Sequence, residues 1–458
     1  MANTYLTRSM GTPTNRKKFT ISVWIKKCLV ASSGSQHIWD GYYSVDNRLV
    51  IYFQASATDT FAMYNVAGGS ASMYMNTNQK FRDINGWYHI YIGVDTTQST
   101  AADRIKMYIN GEQVTSWETS NYPSQNADLT FANGYTNYIG RYGGGSNFFD
   151  GIMSHFYYVD GSDIHIAQFG STDATTGEWK INTNPTISSY GNEGFLILKD
   201  GNTITDQSPN SNDFTSNGAG VTKTEDSPSN VFATMNPVDS YWMSTTYTNG
   251  NNKAVTQGSH RTSMAATLGA SSGKFYYEVK FDAETSGAGV VVGIDTKGAS
   301  SCSVFNGSYC DEYTGRRTYG YGYYSSDGVV YNSGNNVGSY TSFSTGTIIC
   351  VAVDLDNNKL YFRRNDNAWE NSGDPTSGST GTGAISITAA SSTDTGFYFP
   401  ALSDGSNSGT ATFSTNFGNG YFGTTAVSSA GTNASNIGIF EYDVPTGYTA
   451  WSTKGLNL

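Results

Sequence analysis

Charged side chains are scarce in this sequence. Asp, Glu, Lys and Arg make up 14% of the 458 residues, against about a quarter in an average globular domain. Ser, Thr, Asn and Gly take their place, which predicts a neutral, polar surface. The 26 basic residues are outnumbered by 37 acidic ones, and no basic run is longer than Arg16-Lys17-Lys18. Because a nucleic-acid surface needs clustered positive charge, we expect no nucleic-acid partner.

Long apolar runs are also missing. The opening segment MANTYLTRSM lacks the apolar centre of a signal peptide, and no apolar run approaches the length of a membrane span. We therefore expect no membrane insertion, and any export would use another route.

Cysteine and histidine are rare, with four and five residues respectively. There is no CxxC motif and no histidine cluster, so a zinc site is not expected. Cys28 and Cys350 lie far apart in strand-like segments. Only Cys302 and Cys310 are close enough in sequence to suggest a disulfide, and the alternative is that all four are reduced thiols.

Apolar and polar residues alternate with a period of two along much of the chain. In FTISVWIK, the residues Phe19, Ile21, Val23 and Ile25 share one face. The segment WYHIYIGVD is apolar on both faces, which predicts a strand buried on both sides. The same pattern recurs in the segments GKFYYEVKF, GTIICVAVDL and KLYFRRN after residue 270.

Turn signals separate these segments. Asn110-Gly111 predicts a type I′ hairpin turn, and Asn357-Asn358 marks a second turn. No segment has helical periodicity over three turns. The fold class is therefore all-β, with two sandwiches of the jelly-roll type joined by a turn-rich connector.

Five short segments in order resemble the laminin-G/concanavalin-like jelly roll. They are FTISVWIK, GWYHIYIGVD, KMYINGEQV, YIGR and FDGIMSHFYYVDG, and they cover about residues 15–165. The resemblance implies a β-sandwich of a type found in carbohydrate-binding and adhesion modules.

A second set of segments resembles a SPRY domain over about residues 237–420. They are GKFYYEVKF, VVVGID, YGYGYYSSDG, GTIICVAVDLDNNKLYFRRN, FYFPAL and TFSTNFG. SPRY domains have Asn-Gly after the last of these strands, whereas this sequence has Asn365-Asp366. The resemblance therefore does not predict the type of that turn. The resemblance implies a bent two-sheet sandwich that serves as a binding module.

These resemblances divide the chain into four segments. They are a laminin-G/concanavalin-like sandwich at 1–165, a connector at 166–236, a SPRY-like sandwich at 237–425 and a C-terminal extension at 426–458. This layout is similar to structural proteins of tailed bacteriophages, particularly marine ones, and implies a protein of the virion surface assembled in the host cytoplasm.

No catalytic motif is evident, and we expect no enzymatic activity. Glycanases of the concanavalin type carry a compact Glu-x-Asp-x-x-Glu motif, whereas EVKFDAE offers only Glu278, Asp282 and Glu284 in the wrong order. We interpret these carboxylates as the solvated face of an edge strand.

No cofactor is expected, although Ca²⁺ stays possible because laminin-G modules often bind it through Asp side chains. Asp95, Asp103 and Asp150 are available for this role, and each also suits a turn.

The segment YGYGYYSSDG predicts a strand in which Tyr319, Tyr321 and Tyr323 share one face and pack across a sheet. The intervening glycines would permit close backbone approach. Tyr324, on the opposite face, is a candidate for ligand contact.

Exposed aromatic rings outside clear strands could stack on sugar rings. The alternative for each is a plug at the end of a sandwich. The candidate ligand-binding residues are Trp39, Trp117, Tyr142, Tyr324 and Trp369.

The resemblance to phage structural proteins, together with the neutral polar surface, implies a tail fibre or receptor-binding appendage that binds host-surface polysaccharide without enzymatic activity. We expect other virion proteins as partners and a homotrimer, because repeated weak sites gain avidity. The first alternative is a capsid decoration or connector protein without receptor binding. The second alternative is a polysaccharide depolymerase.

Overall fold

The computed structural model describes residues 3–29, 34–55, 58–130, 133–199, 203–241, 245–258, 261–285, 287, 289–296, 313–406 and 408–457. The chain forms two compact units, Met1–Lys223 and Thr224–Leu458. The fold is all-β, as the alternation predicted. Within the described ranges the helices are single 3-10 turns, at Ala101–Asp103, Ile166–Gln168, Glu370–Ser372, Gly378–Thr380, Ala390–Ser392 and Gly455–Asn457.

Two antiparallel sheets form the sandwich of the first unit. Its strands are β1 (Tyr5–Ser9), β2 (Lys18–Lys27), β3 (Gln36–Ser44), β4 (Asn47–Phe53), β5 (Thr60–Ala67), β6 (Ser70–Lys80), β7 (Trp87–Asp95), β8 (Ile105–Ile109), β9 (Glu112–Gln113), β10 (Trp117–Asn121), β11 (Thr136–Ile139), β12 (Gly151–Asp160), β13 (Gly170–Thr172), β14 (Trp179–Ile181), β15 (Phe195–Ile197) and β16 (Thr215–Asn217). An eight-stranded sheet has the order β10-β6-β5-β4-β3-β11-β1-β16, and a six-stranded sheet has the order β15-β12-β2-β7-β8-β9.

The strongest sequence patterns form the six-stranded sheet. Phe19, Ile21, Val23 and Ile25 of β2 all lie in the core between the sheets. Strand β7 is buried along nearly its whole length, as its two apolar faces predicted. Asn110 and Gly111 between β8 and β9 have φ values of 48° and 82°, as a type I′ turn requires.

Residues 166–217, within the predicted connector, contribute structure to the first unit. Strand β15 pairs with β12, and β16 pairs with β1. The apolar side chains of Phe195, Ile197 and Phe214 are buried in the core between the sheets. Removing them from water stabilises the first unit. Phe169 and Trp179 belong to a second apolar cluster with Tyr91 of β7 and Tyr157 of β12. This segment therefore covers the outer face of the six-stranded sheet.

The second unit is also built from two large sheets. Its strands are β17 (Met235–Tyr241), β18 (Thr246–Thr248), β19 (Lys253–Val255), β20 (Thr262–Ala266), β21 (Lys274–Glu284), β22 (Val290–Asp295), β23 (Tyr321–Tyr324), β24 (Val329–Asn332), β25 (Asn335–Ser339), β26 (Ile348–Asp354), β27 (Lys359–Arg364), β28 (Ile385–Ser386), β29 (Phe399–Asp404), β30 (Ala411–Asn416), β31 (Tyr421–Phe422), β32 (Thr425–Ala426) and β33 (Thr449–Ala450). A seven-stranded sheet has the order β17-β20-β29-β22-β23-β24-β25. The other follows β18-β19-β30-β21-β26-β27-β28, with β33 beside β21.

The C-terminal segment packs onto the second unit. Strand β33 pairs in parallel with the start of β21, and Trp451 is fully buried with its ring 4.6 Å from that of Phe275. Phe440 and Tyr448 form an apolar cluster with Tyr276 of β21 on the side of the sheet away from the main core. Residues 440–451 thus cover one face of this sheet.

The structural interpretation of YGYGYYSSDG is confirmed. Tyr321 and Tyr323 are buried in the main core of the second unit, and Tyr319 packs against it. A Cβ on Gly322 would lie 2.3 Å from the carbonyl oxygen of Thr314. Glycine is therefore needed there for close backbone approach.

Candidate functional site

The outer face of the eight-stranded sheet of the first unit is rich in tyrosine. Core residues such as Ile51, Met63 and Met73 point inward from β4, β5 and β6, and side chains alternate along a strand, so their neighbours point outward. These outward rings are partly exposed. We call the following residues the tyrosine face: Tyr5, Tyr42, Tyr52, Tyr64, Tyr74, Tyr138 and Tyr142.

The strand register aligns part of this face in one row across the sheet. Tyr138 of β11 is opposite Asp40 of β3, and Asp40 is opposite Val50 of β4. Val50 is in turn opposite Tyr64 of β5, and Tyr64 is opposite Tyr74 of β6. The row crosses five neighbouring strands at right angles to their direction.

Arg48 lies at the centre of the tyrosine face. Its Nη1 donates a hydrogen bond of 2.6 Å to the hydroxyl of Tyr142. The guanidinium lies 5.6 Å from the ring centre of Tyr142 and 5.9 Å from that of Tyr64. Cation–π attraction to both rings fixes the arginine between them. The rings of Tyr64 and Tyr74 follow at 5.3 Å.

A buried histidine–aspartate pair packs beneath the centre of the tyrosine face. His37 Nδ1 and Asp40 Oδ1 are 2.8 Å apart, and Asp40 Oδ2 accepts a hydrogen bond of 3.0 Å from the amide of Gly143. The His37 ring stacks on Tyr52 at 5.0 Å and contacts Tyr142 at the same distance. Burial raises the pKa of Asp40, although its hydrogen bonds oppose that shift. The pair therefore holds Tyr52 and Tyr142 in place.

The glycine run of RYGGGS forms a low loop over the face. Arg141 and Phe148 pair as an isolated bridge, and Tyr142 lies just inside it. A Cβ on Gly143 would lie 2.3 Å from the Cβ of Tyr42, and one on Gly144 would lie 2.5 Å from the ring of Tyr142. Glycine thus lets bare backbone lie directly on the tyrosine rings.

A second aromatic group lies on the other side of this loop. The rings of Tyr5 and Tyr138 are 6.3 Å apart, and Phe148 contacts Tyr5 at 6.1 Å. The guanidinium of Arg141 lies 4.1 Å from the ring centre of Tyr5 and 5.1 Å from that of Tyr138. An arginine therefore accompanies the tyrosines on both sides of the loop.

This arrangement suits binding rather than covalent chemistry. Burial raises the pKa of Tyr52 and Tyr142, so their hydroxyls stay protonated near neutral pH and can donate hydrogen bonds. Partly exposed rings provide flat apolar surfaces, and the arginines provide further donors. A ligand with alternating apolar faces and hydroxyl groups matches that combination.

Of the sequence-predicted residues, Tyr142 belongs to the tyrosine face and Trp39 does not. Trp39 lies within β3 and is fully buried, with its ring edge-on to those of Phe156 and Tyr158 at 5.4 and 5.0 Å. The prediction of a surface role for Trp39 is wrong, because the bulge in β3 turns its large apolar ring into the core.

The other predicted residues lie apart from the tyrosine face. Trp117 is on the edge strand β10 and packs against the core of the first unit. Tyr324 lies in the second unit, where its ring contacts that of Tyr313 at 5.6 Å. Trp369 packs beside Arg363, whose guanidinium lies 5.0 Å from the indole ring. Ligand contact by these three residues stays a prediction.

Most of the site was missed from the sequence. Tyr52, Tyr64 and Tyr74 each stand in strands between core residues, in VIYF, FAMYN and SMYMN. That repeated placement of tyrosine beside Ile or Met was the available signal. Arg48 and His37 gave no local signal, because only the sheet brings them to these rings.

The interpretation of EVKFDAE as the solvated face of an edge strand is wrong for the strand position and for Glu278, whereas Asp282 is partly exposed and Glu284 is exposed. Strand β21 lies between β30 and β26, and Glu278 is fully buried. Its carboxylate accepts hydrogen bonds from the backbone amides of Glu441 and Tyr442, both at 2.9 Å. Burial raises the pKa of Glu278 to about 7, against the effect of these bonds. The covering C-terminal segment excludes water from this side chain.

The three aspartates considered for Ca²⁺ have separate surroundings. Asp95 pairs with Lys18 at 2.9 Å, and Asp103 pairs with Lys106 at 3.6 Å. Burial raises the pKa of Asp150, which disfavours the anion that a cation needs. Over the part of the chain that the structure covers, no group of three His, Cys, Asp or Glu side chains could hold a metal ion.

Two further expectations concern cysteines and membrane spans. Cys28 and Cys350 are buried thiols, and burial raises the pKa of Cys350 to about 12. Cys302 and Cys310 lie outside the described residues.

Among the described residues no helix is long and apolar enough to cross a membrane.

Comparison with known proteins supports both domain resemblances. Residues 2–165 match the family model of the concanavalin A-like lectin/glucanases superfamily, and residues 274–419 match that of the SPRY domain. Comparison with curated proteins finds no match.

Two solved structures illustrate the similarity. The SPRY domain of human HERC1 is 16% identical, with a TM-score of 0.30, and the match covers 40% of this chain and 96% of that domain. A heptameric SAP-like pentraxin from Limulus polyphemus is 14% identical, with a TM-score of 0.29, over 43% of this chain and 86% of the pentraxin. The two family-model matches show that the chain contains a concanavalin-like domain followed by a SPRY domain.

Proposed function

We propose that this protein binds carbohydrate through the tyrosine face and has no enzymatic activity. The observation that carries the proposal is the arrangement of Tyr52, Tyr64 and Tyr142 around Arg48 on an outer sheet face. Rigid tyrosine rings bind with little loss of conformational entropy, and their hydroxyls add hydrogen bonds. The match of the first domain to a superfamily of lectins and glucanases supports the same ligand class.

Affinity electrophoresis tests this proposal. The full chain is run through gels that contain soluble xylan, mannan, β-glucan or alginate, and at least one polymer should retard it. Tyr64→Ala and Tyr142→Ala should each weaken retardation about tenfold, since removing one central ring costs on the order of 1.4 kcal/mol. Tyr421→Ala, which changes a partly buried tyrosine of the second unit, is the matched control. If no polymer retards the chain, the proposal fails.

The same samples test the absence of catalysis. The viscosity of a retarding polymer should stay constant during incubation with the protein. A steady fall would instead identify a polysaccharide depolymerase.

We further propose that the protein is a surface component of a tailed-phage virion, as a tail fibre or receptor-binding appendage acting on host-surface polysaccharide. The order of the two domains, the low content of charge and the tyrosine face support this role. A homotrimer would raise avidity by presenting several weak sites together. Fitting of the chain into a density map of the whole particle tests the location. Copies spread over the capsid lattice would favour a decoration protein instead.

A further inference from the structure

We infer that the tyrosine face binds an extended linear polysaccharide across the strands, rather than a single terminal sugar. This inference rests on the proposed carbohydrate-binding function and names the shape of the ligand. Its basis is the row from Tyr138 to Tyr74. On the next strand, β1, Thr7 lies opposite Tyr138, and Tyr5 is two residues from Thr7, with its ring 6.3 Å from that of Tyr138.

The central residues of the row, Asp40 and Val50, are buried, and aromatic rings beside them join its two ends. Ring contacts run from Tyr5 to Tyr138 at 6.3 Å, and from Tyr42 to Tyr142 at 5.4 Å. Gly143 lies between Tyr138 and Tyr42, because a Cβ there would come within 3.1 Å of the first ring and 2.3 Å of the second side chain. Only the backbone of Gly143 therefore lies between the two aromatic groups.

The contacts continue on the other side of the loop. His37 lies 5.0 Å from both Tyr142 and Tyr52. Arg48 joins Tyr142 to Tyr64, and Tyr64 contacts Tyr74 at 5.3 Å. Neighbouring strands are about 4.8 Å apart, so the row from β11 to β6 spans about 19 Å along the sheet. That length exceeds what one sugar ring can cover.

The loop between the two groups would also tolerate a chain that passes over it. Gly143, Gly144 and Gly145 carry no side chains that could rise from the face. Their backbone can therefore contact a ligand closely, while Tyr142 adds one more ring at the midpoint. Arg48 and Arg141 supply hydrogen-bond donors on opposite sides of the loop.

A ladder of oligosaccharides tests this inference. The full chain is titrated with linear β-glucan, xylan, mannan and alginate oligomers from dimers to octamers. For the polymer that binds, affinity should rise with length until the oligomer spans the row. Equal affinity for the shortest and longest binding oligomers would overturn the inference and leave the proposed function intact. Failure of every oligomer and polymer to bind would instead overturn the proposed function itself.

Variants at the two ends sharpen the test. Tyr138→Ala and Tyr74→Ala should each weaken octamer binding about tenfold and binding of the shortest oligomer by a smaller factor, because that oligomer occupies the centre near Arg48. Retained binding of the short oligomer shows that the variant is folded. Tyr43→Ala is the matched control, since Tyr43 lies in β3 but is 68% exposed and stacks on Tyr135 outside the row. Equal weakening for short and long oligomers would contradict an extended site.

Discussion

Two buried titratable residues give the protein opposite responses to pH. His89 lies between the rings of Trp24 and Trp179 and accepts a hydrogen bond from the indole nitrogen of Trp179. Burial lowers its pKa to about 3, so stability is lost as the pH falls below the ordinary range of histidine. Glu278 responds in the other direction, because burial raises its pKa to about 7.

The substitution Glu278→Gln isolates the effect of Glu278 on the pH dependence of stability. The folded protein holds the proton of Glu278 more tightly than the unfolded chain. Its stabilising contribution is therefore complete below about pH 4.5 and is lost as the pH rises through about 7. Relative to wild type, the free energy of unfolding of the variant should increase between pH 5 and pH 8, by on the order of 3 kcal/mol.

Urea denaturation at several pH values measures this difference. Any constant penalty of the amide, which cannot accept the same hydrogen bonds, cancels from the comparison between pH values. Glu225→Gln, which changes an exposed carboxylate of the same unit, is the control. A difference between Glu278→Gln and wild type that does not vary with pH would contradict the assignment.

At the scale of elements, covering segments complete both units. Residues 166–217 supply strands and apolar side chains to the first unit, and residues 440–451 cover a sheet of the second. Both segments were assigned to a connector or an extension from the sequence. Their apolar residues are widely spaced among turns, so no period of two marks them as part of a sandwich.

Trp451→Ala tests the contribution of the C-terminal cover. The ring is fully buried against Phe275, so its loss should destabilise the second unit by about 3–5 kcal/mol. Thermal unfolding followed by circular dichroism measures the effect. Trp369→Ala is the matched control, because that ring is only partly buried and should cost less. Similar costs for both variants would show that the cover is not an integral part of the core.

The sequence predicted elements better than it predicted the site. Strand β2 alternates because one of its faces packs into the core between the sheets, and β7 is apolar on both faces because residues 166–217 cover its outer face. The tyrosine face depends instead on register: Tyr138, Tyr64 and Tyr74 are far apart in the chain and meet only through strand pairing. Local patterns cannot specify that alignment. Trp39 was misjudged for a related reason, since a bulge decides which way its ring points.

At the scale of the whole molecule, the two units should be separable. Residues 1–223 and 224–458 are each compact, and each has its own core. Expressed alone, each fragment should unfold cooperatively. A shorter fragment, 1–165, should not, because it lacks Phe195, Ile197 and Phe214, and each buried side chain of this kind contributes about 1.5–3 kcal/mol.

Calorimetry of the three fragments checks this expectation. A cooperative transition of 1–165 with the stability of 1–223 would show that residues 166–223 are dispensable. Failure of both longer fragments to fold would show that the units depend on each other.

The parallel pairing of β33 with β21 has a consequence for how the second unit is made. Strand β21 emerges from the ribosome early, but its neighbour β33 is synthesised only after every other strand of that unit. Contacts between such distant segments form slowly, because a long loop must close first. Until then Phe275 and Tyr276 lack the C-terminal residues that cover them. During translation these exposed apolar rings would provide a binding surface for chaperones.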